Sequence, residues 1–318
     1  MNKKSIFIAG MALLSISVFS GCESNSEKSK KLCGVALSEF DAKNYKQSLA
    51  DYKKAIALDG TNGNAYEGKG SDEYHLDMDD SALADEFTAL RLTPELKNVK
   101  SWIGLIKLDL GDYSGSIEYY NKSIELGGDL SKDYEGRGAA EYHLADFDKA
   151  MQDETKAIQL DPGTENAYYW RAQIKESMGD YKGSIDDHLE SLTKVENKGK
   201  DYEGLAANED YLNDYTKALE YINMAIAADT SLKNTYNWRA RIKQDLLDYT
   251  GSIADYTMSL KIGANKGKDY EGRAIDEYYM KNYTDALNDI NLAIQSDPTL
   301  KQAAAWKADI EKDMGKSE

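Results

Sequence analysis

The sequence predicts an all-α fold, a right-handed solenoid of eight helix–turn–helix repeats of 34 residues, followed by a C-terminal capping helix. Three observations predict this fold. Aromatic residues recur at intervals of 34 residues or twice that, small residues keep fixed distances from each aromatic, and all three prolines share one position of the period. A constant period of about 20 to 50 residues indicates stacked repeats, because each repeat buries its apolar face against its neighbours.

The recurring aromatic residue marks the turn inside each repeat. It belongs to a motif that is most complete at 179–185 and returns at 111–117 and 248–253. The second repeat is an exception, since Asp79 occupies the aromatic position. The aromatic residues of the other seven repeats are Tyr45, Tyr113, Phe147, Tyr181, Tyr215, Tyr249 and Tyr283.

Small residues and prolines fix the helix boundaries. Ala, Gly or Ser stands nine residues before, three after and ten after every turn position, which predicts a close crossing of two helices. Pro94, Pro162 and Pro298 follow the second helix, where proline ends a helix. The predicted repeats are 29–62, 63–96, 97–130, 131–164, 165–198, 199–232, 233–266 and 267–300, with the capping helix at 301–318.

A second period of 68 residues lies over the first. The four tryptophans keep this spacing, and alternate repeats carry the tripeptide Tyr-Glu-Gly at 66, 134, 202 and 270. The duplicated unit is therefore a pair of repeats. For the tryptophans we favour packing between helices over a platform for a ligand, because regular apolar columns usually belong to the core. They are Trp102, Trp170, Trp238 and Trp306.

Charged residues in two columns change together between the repeats. Where the position ten before the turn is cationic, the position six after it is Asp; where the first is Ile103 or Leu205, the second is Tyr. This covariation predicts ion pairs between the two helices of a repeat, with solvated charges on a polar face as the alternative. The predicted pairs are Lys69–Asp85, Arg137–Asp153, Arg171–Asp187, Arg239–Asp255 and Arg273–Asp289.

Together these columns resemble the tetratricopeptide-repeat (TPR) family over residues 29–300. The resemblance implies a scaffold that binds a protein or peptide in a concave groove lined by the first helices. In the known clamp for chaperone carboxylates, paired Lys and Asn stand in this groove, whereas this chain has Glu and Tyr. The implied lining residues are Glu67, Tyr74, His75, Glu135, Tyr142, His143, Tyr169, Glu203, Tyr211, Glu271, Tyr278 and Tyr279.

An acidic, tyrosine-rich groove suits an extended peptide of basic or mixed character. Three alternatives remain open at this point. The surface serves only solubility, the protein is a structural spacer or assembly factor with convex contacts, or carboxylates in the groove catalyse hydrolysis. The last is disfavoured, since no motif for a nucleophile, a phosphate loop or a metalloprotease is present.

The first residues read as a targeting segment. Lys3 and Lys4 precede an apolar run from Ile6 to Phe19, and Gly21-Cys22 follows it. This arrangement resembles the lipobox of bacterial lipoproteins, which implies a signal peptide at 1–21, a lipid on Cys22 and a polar tether at 22–28. An ordinary secretory signal is the alternative. We expect a lipoprotein outside the cytoplasm, in the periplasm or at the outer membrane.

The overall charge limits the partners. The chain has 39 Lys and Arg against 56 Asp and Glu, a formal net charge of −17, which disfavours nucleic acid. The histidines are too far apart in the repeat pattern to share a metal ion. We therefore expect no catalytic residue, no metal and no cofactor, and a partner that is an envelope protein or peptide.

Overall fold

The computed structural model describes residues 23–195, 198–229, 231–232, 234–263 and 265–317. The predicted signal peptide and Cys22 lie outside these residues. The described residues form seventeen helices. They are α1 (Asn25–Asp41), α2 (Tyr45–Leu58), α3 (Gly63–His75), α4 (Asp79–Leu92), α5 (Lys97–Asp109), α6 (Tyr113–Glu125), α7 (Leu130–His143), α8 (Phe147–Leu160), α9 (Glu165–Ser177), α10 (Tyr181–Ser191), α11 (Gly199–Tyr211), α12 (Tyr215–Ala228), α13 (Thr235–Asp245), α14 (Tyr249–Ile262), α15 (Lys266–Tyr279), α16 (Tyr283–Ser296) and α17 (Ala303–Ser317).

The chain divides into two compact units, residues 1–174 and 175–318. In the first unit the hairpins α1–α2, α3–α4, α5–α6 and α7–α8 follow one another, and each second helix packs on the next first helix. In the second unit the hairpins α11–α12, α13–α14 and α15–α16 stack in the same way, and α17 packs on α16. The predicted all-α repeat solenoid is confirmed, since each unit is a stack of helical hairpins.

The turn of each hairpin uses one backbone conformation. The residue two before the turn position has a positive φ in all eight hairpins, at 80° and 82° for Gly111 and Gly179 and at 60–62° elsewhere. Only glycine adopts this left-handed conformation without steric cost. The six other residues are Lys43, Asp77, Ala145, Asn213, Leu247 and Lys281.

The acidic residue of the turn motif caps the second helix. The Asp180 carboxylate accepts a hydrogen bond from the Gly183 backbone N–H at 3.0 Å, and Asp112 and Asp248 do the same in their turns. A Cβ added to Gly183 would lie 2.2 Å from the Asp180 carboxylate. The cap itself does not require glycine, because the Lys217 backbone N–H donates to Asp214 at 3.1 Å in the equivalent turn.

Helix ends follow the sequence signals closely. Helices α4, α8 and α16 each end two residues before a proline, as predicted. Helix α1 begins at Asn25, earlier than the predicted start at 29, so most of the predicted tether is helical. The cause is a capping box: Ser24 caps the Glu27 N–H, and the Glu27 side chain accepts from the Ser24 N–H.

The 68-residue period has a packing cause. In alternate hairpins a ring on the second helix faces the glycine of the next Tyr-Glu-Gly tripeptide; a Cβ on Gly136, for example, would lie 2.2 Å from Tyr120. The two hairpins of each pair are therefore fitted to each other. The four ring–glycine contacts are Tyr52–Gly68, Tyr120–Gly136, His188–Gly204 and Tyr256–Gly272.

Four of the predicted ion pairs are present within the hairpins. Arg137 donates two hydrogen bonds to Asp153, at 2.6 and 2.8 Å, and the other two arginine pairs have the same forked geometry. Such a bidentate hydrogen bond fixes the register of the two helices, and it also pairs the charge of the aspartate with that of the arginine. The four pairs are Lys69–Asp85, Arg137–Asp153, Arg239–Asp255 and Arg273–Asp289.

The fifth predicted pair, Arg171–Asp187, takes its two residues from different units. Arg171 lies in the first unit, where its guanidinium is 5.5 Å from the centre of the Tyr168 ring. Asp187 lies in the second unit, where its Oδ2 is 2.7 Å from the Lys175 Nζ. Lys175 thus supplies a cation to Asp187 from a position one helical turn after Arg171.

Candidate binding surface of the first helices

The first helices of consecutive hairpins lie side by side within each unit. Helices α1, α3, α5 and α7 contact one another in sequence in the first unit, as do α13, α15 and α17 in the second. Residues of α11 and α13 line one common pocket. In each unit, we call the exposed face of these helices the first-helix surface. It carries the residues that the sequence predicts as the lining of a groove.

Four of the predicted lining residues are buried in the structure and bond to its interior. Burial raises the pKa of Glu67 to about 7. Glu135 accepts hydrogen bonds from Thr164 Oγ1 at 2.5 Å and from the Asn166 amide at 3.1 Å. These carboxylates tie a first helix to the start of the next one. The four buried residues are Glu67, Tyr74, His75 and Glu135.

The remaining predicted residues reach solvent to different degrees. Tyr211 and Tyr279 are the most open, with 58% and 52% of their surface exposed, and His143 is also exposed. Rings, rather than carboxylates, thus form the most open part of the predicted lining. The half-buried residues are Tyr142, Tyr169, Glu203, Glu271 and Tyr278.

The exposed rings are held by face-to-face stacking. Tyr211 stacks on Tyr181, the turn aromatic of the preceding hairpin, with ring centres 4.6 Å apart and planes 11° apart. The same contact occurs four times at the 68-residue spacing. The four ring stacks are Tyr45–His75, Tyr113–His143, Tyr181–Tyr211 and Tyr249–Tyr279.

Three tryptophans complete these stacks by edge contacts. The ring centres of Trp102, Trp170 and Trp306 lie 5.9, 5.5 and 6.2 Å from those of His75, His143 and Tyr279, respectively. Trp102 and Trp170 are only 4% and 5% exposed, which agrees with the packing role favoured from the sequence. Trp238 differs, since 37% of its surface is exposed.

A pocket lies beside Trp238. It opens between α11 and α13, and the side chains around it are those of Ala207, Asp210, Tyr211, Trp238, Arg241 and Ile242. Burial raises the pKa of Asp210, Arg241 lowers it, and Asp245 raises it further. The pocket therefore combines aromatic surface with charges of both signs.

The family model described as tetratricopeptide repeat matches residues 99–126, which cover most of the α5–α6 hairpin. The hairpin stacking and the recurring turns repeat this unit along both halves of the chain. The chain is a tetratricopeptide-repeat protein.

Solved structures share the fold of this TPR protein. The APC/C hetero-tetramer Cut9–Hcn1 matches with a TM-score of 0.64 and 15% identity, over 88% of this chain and 55% of that chain. YrrB, a TPR protein with an unusual peptide-binding site, matches with 0.53 and 18%, over 60% and 99%. PilW, a widely conserved type IV pilus biogenesis factor, matches with 0.58 and 18%, over 63% and 93%. At these identities the similarity establishes the fold.

Several carboxylates of this TPR protein have perturbed pKa values without lying on an open surface. Glu86 and Glu154 are fully buried, and burial raises both pKa values well above normal. Their oxygens have no hydrogen-bond partner among the described residues. A substrate has no access to them, so the raised pKa values reflect packing rather than acid–base chemistry.

A buried network that the sequence analysis missed joins consecutive hairpins. Asp133 accepts hydrogen bonds from Ser101 Oγ at 2.5 Å and from Ser123 Oγ at 2.6 Å. The same serine–aspartate contact recurs as Ser191–Asp201 and Ser259–Asp269. A signal was available, because the one copy without the aspartate, at Ala65, also lacks the serine, at Ala55.

Two further properties of the described ranges concern metal sites and membrane spans. No group of three or more His, Cys, Asp or Glu in those ranges is arranged to hold a metal ion. None of the helices in the same ranges has both the length and the apolar character needed to cross a bilayer.

Proposed function

We propose that this protein is a binding scaffold of the bacterial cell envelope, which holds a protein or peptide partner on its first-helix surface. One observation carries the proposal: the exposed rings of His143, Tyr211 and Tyr279 are held on that surface by regular stacking. Stacking fixes the orientation of these rings, and each ring still leaves part of its surface open to a partner.

Such rings suit recognition for a physical reason. Tyrosine offers a large amphipathic contact area, and a ring already fixed by a neighbour loses little conformational entropy on binding. The surrounding charge favours a partner of basic or mixed character, because the chain has a net charge of −17. YrrB, which has the same fold, is described as having a peptide-binding site, and this supports the proposal.

The envelope location rests on the first residues of the sequence. The apolar run and Gly21-Cys22 support cleavage before Cys22 and its acylation. A lipid there would hold the start of α1 near a membrane, since Asn25 already begins the helix. PilW, a type IV pilus biogenesis factor of the same fold, is a further reason to look in the envelope.

Affinity purification from detergent-solubilised membranes tests the scaffold. The triple variant His143→Ala, Tyr211→Ala and Tyr279→Ala should lose a partner that the unchanged protein retains, and retention should weaken with salt. Phe87→Ala is the matched control, because Phe87 is 39% exposed but lies on a second helix. Equal recovery of the partner by the triple variant would contradict the proposal.

Labelling with radioactive palmitate tests the anchor separately. Cys22→Ser should abolish this labelling. Cys33→Ser is the control, because Cys33 lies within α1 and should stay unlabelled in either form. Palmitate labelling that survives the Cys22 change would argue against a lipid at this residue.

A further inference from the structure

The aromatic clusters of the first-helix surface occur four times, and one copy is incomplete. In three copies a tyrosine packs directly against the tryptophan, with ring centres 5.8, 5.5 and 5.7 Å apart. In the remaining copy Asp210 stands where this tyrosine is expected, and the adjacent tryptophan is Trp238. The three complete pairs are Tyr74–Trp102, Tyr142–Trp170 and Tyr278–Trp306.

The acceptor for the missing tyrosine is still present. The Tyr74 hydroxyl donates to Asp109 Oδ2 at 2.6 Å, and the Tyr278 hydroxyl donates to Asp313 Oδ2 at 2.7 Å. In both cases the acceptor lies 35 residues after the tyrosine. The residue 35 after Asp210 is Asp245, so the incomplete cluster has the same acceptor without the phenol.

The absence of a tyrosine at position 210 leaves the pocket beside Trp238 open. Trp238 is 37% exposed, against 4% for Trp102, whose partner tyrosine is present. Arg241 stands at the edge of this pocket, where the other copies have Leu105, Gln173 and Asp309. Two positions have thus diverged around one site, one removing a ring and the other adding a cation.

We propose that this pocket receives a tyrosine side chain of the partner protein. The partner's ring packs against Trp238 in the place of the absent tyrosine, and its hydroxyl donates to the Asp245 carboxylate. Arg241 covers the exposed face of the ring by a cation–π contact. This inference rests on the proposed scaffold function, because it names one contact of the same surface.

The chemistry of the pocket favours a phenol over other groups. An anionic group would be repelled by Asp210 and Asp245, and Arg241 already supplies a cation to Asp210. An aliphatic side chain would fill the space but could not donate a hydrogen bond to the Asp245 carboxylate. A phenol ring supplies both the flat apolar surface and the single hydrogen-bond donor that Tyr74 and Tyr278 provide in their copies.

Three capped peptides test the pocket on the full-length protein. They are Ser-Lys-Ser-Tyr-Ser-Lys-Ser and the forms with Phe or Ala at the centre, and their binding is followed through the Trp238 indole N–H resonance. We expect the tyrosine peptide to bind about tenfold more tightly than the phenylalanine peptide, since a hydrogen bond to a charged group is lost. The alanine peptide should not shift the resonance. Equal affinities for all three, or no shift with the tyrosine peptide, would overturn the proposal.

The variant Asp210→Tyr provides the sharpest control, because it restores the residue found in the three complete copies. It should abolish binding of the tyrosine peptide, raise the melting temperature and shift the tryptophan emission to shorter wavelength. If this variant does not fold, Ala207→Ile fills the same pocket with the residue found at position 275. Unchanged peptide affinity in a folded form of either variant would overturn the proposal.

The same variant separates this inference from the scaffold proposal. If Asp210→Tyr still retains the partner from solubilised membranes, the pocket is not the contact, although the scaffold proposal stands. If the tyrosine peptide binds as expected but the unchanged protein retains no partner, the scaffold proposal fails and the pocket chemistry stands.

Discussion

The hairpins α3–α4 and α7–α8 of the first unit and α11–α12 and α15–α16 of the second occupy the same place in the 68-residue period, but their interiors differ. In the first unit a fully buried Glu faces a glycine of the partner helix, whereas in the second a fully buried Ile faces an alanine. The four pairs are Glu86–Gly70, Glu154–Gly138, Ile222–Ala206 and Ile290–Ala274.

The difference in length between glutamate and isoleucine is compensated by the size of the residue opposite. A Cβ on Gly70 would lie 2.7 Å from Glu86 Oε1, and one on Gly138 would lie 2.6 Å from Glu154 Oε1. The longer glutamate therefore requires glycine opposite, and the shorter isoleucine leaves room for a methyl group. One backbone thus accepts either a carboxyl group or an aliphatic chain, and the comparison isolates the electrostatic effect.

That effect is a dependence of stability on pH. A carboxyl whose pKa is raised on folding stabilises the fold fully below its unfolded pKa, and this contribution is lost as pH rises through the folded pKa. Burial raises the pKa of Glu86 and Glu154, that of Asp72 to about 8 and that of Glu67 to about 7. In the second unit the pKa of Asp276 is raised to about 6 and that of Glu277 to about 7. We expect the first unit to lose more stability between about pH 5 and pH 8.

The largest effect should come from transferring the carboxyl group to the second unit. Ile222→Glu places it opposite Ala206 rather than a glycine, so it is both unpaired and crowded. We expect the free energy of unfolding to fall by about 4 kcal/mol at pH 8, and by less at pH 5. Urea unfolding at both pH values measures this, with Ile222→Leu as the control. A loss below about 1 kcal/mol would show that the second unit is not adapted to an apolar residue.

A smaller effect of opposite sign should follow from giving the first unit the apolar pair. Glu86→Ile combined with Gly70→Ala should stabilise this unit by about 2 kcal/mol at pH 8 and change little at pH 5. Hydrogen exchange, followed by mass spectrometry for each unit, measures the change where it occurs. Gly70→Ala alone is the control and should destabilise, because its methyl group meets Glu86. An unchanged pH dependence in the double variant would remove Glu86 as its source.

The smallest effect should be equal in the two units. Ala145 and Leu247 occupy the left-handed turn position, where glycine avoids a steric cost of roughly 1 to 2 kcal/mol but loses more chain entropy. Ala145→Gly and Leu247→Gly should each stabilise by about 0.5 kcal/mol, and Gly179→Ala should destabilise. Thermal melts measure all three. Opposite signs for the two glycine variants would show that the units differ in their turns as well as in their interiors.

The 34-residue period made most of the fold predictable from the sequence. The turns, the small-residue columns and the proline stops were predictable because each depends on neighbours within one repeat. The ion pair Arg137–Asp153 was predictable from covariation between copies, because both residues belong to one hairpin and change together.

The exposure of the candidate site was not predictable in the same way. His75 and Tyr211 occupy equivalent positions, but His75 is 6% exposed and Tyr211 is 58% exposed. The difference depends on surrounding rings such as Phe40, which lies 5.1 Å from His75. Such contacts join residues of different repeats, and a column of one residue type does not reveal them. Predicting the pocket from the sequence would have required a comparison of Asp210 with the tyrosines at the same position in the other copies.

The contact between Tyr120 and Gly136 has a consequence for how such a chain changes its length. Loss of a single hairpin that carries the tripeptide would bring a tryptophan opposite a ring that packs against glycine; removal of 63–96, for instance, would set Tyr52 against Trp102 instead of Gly68. Loss or gain of 68 residues would leave every such contact intact. Natural variants of this protein should therefore lose a tripeptide-bearing hairpin only together with a neighbouring hairpin.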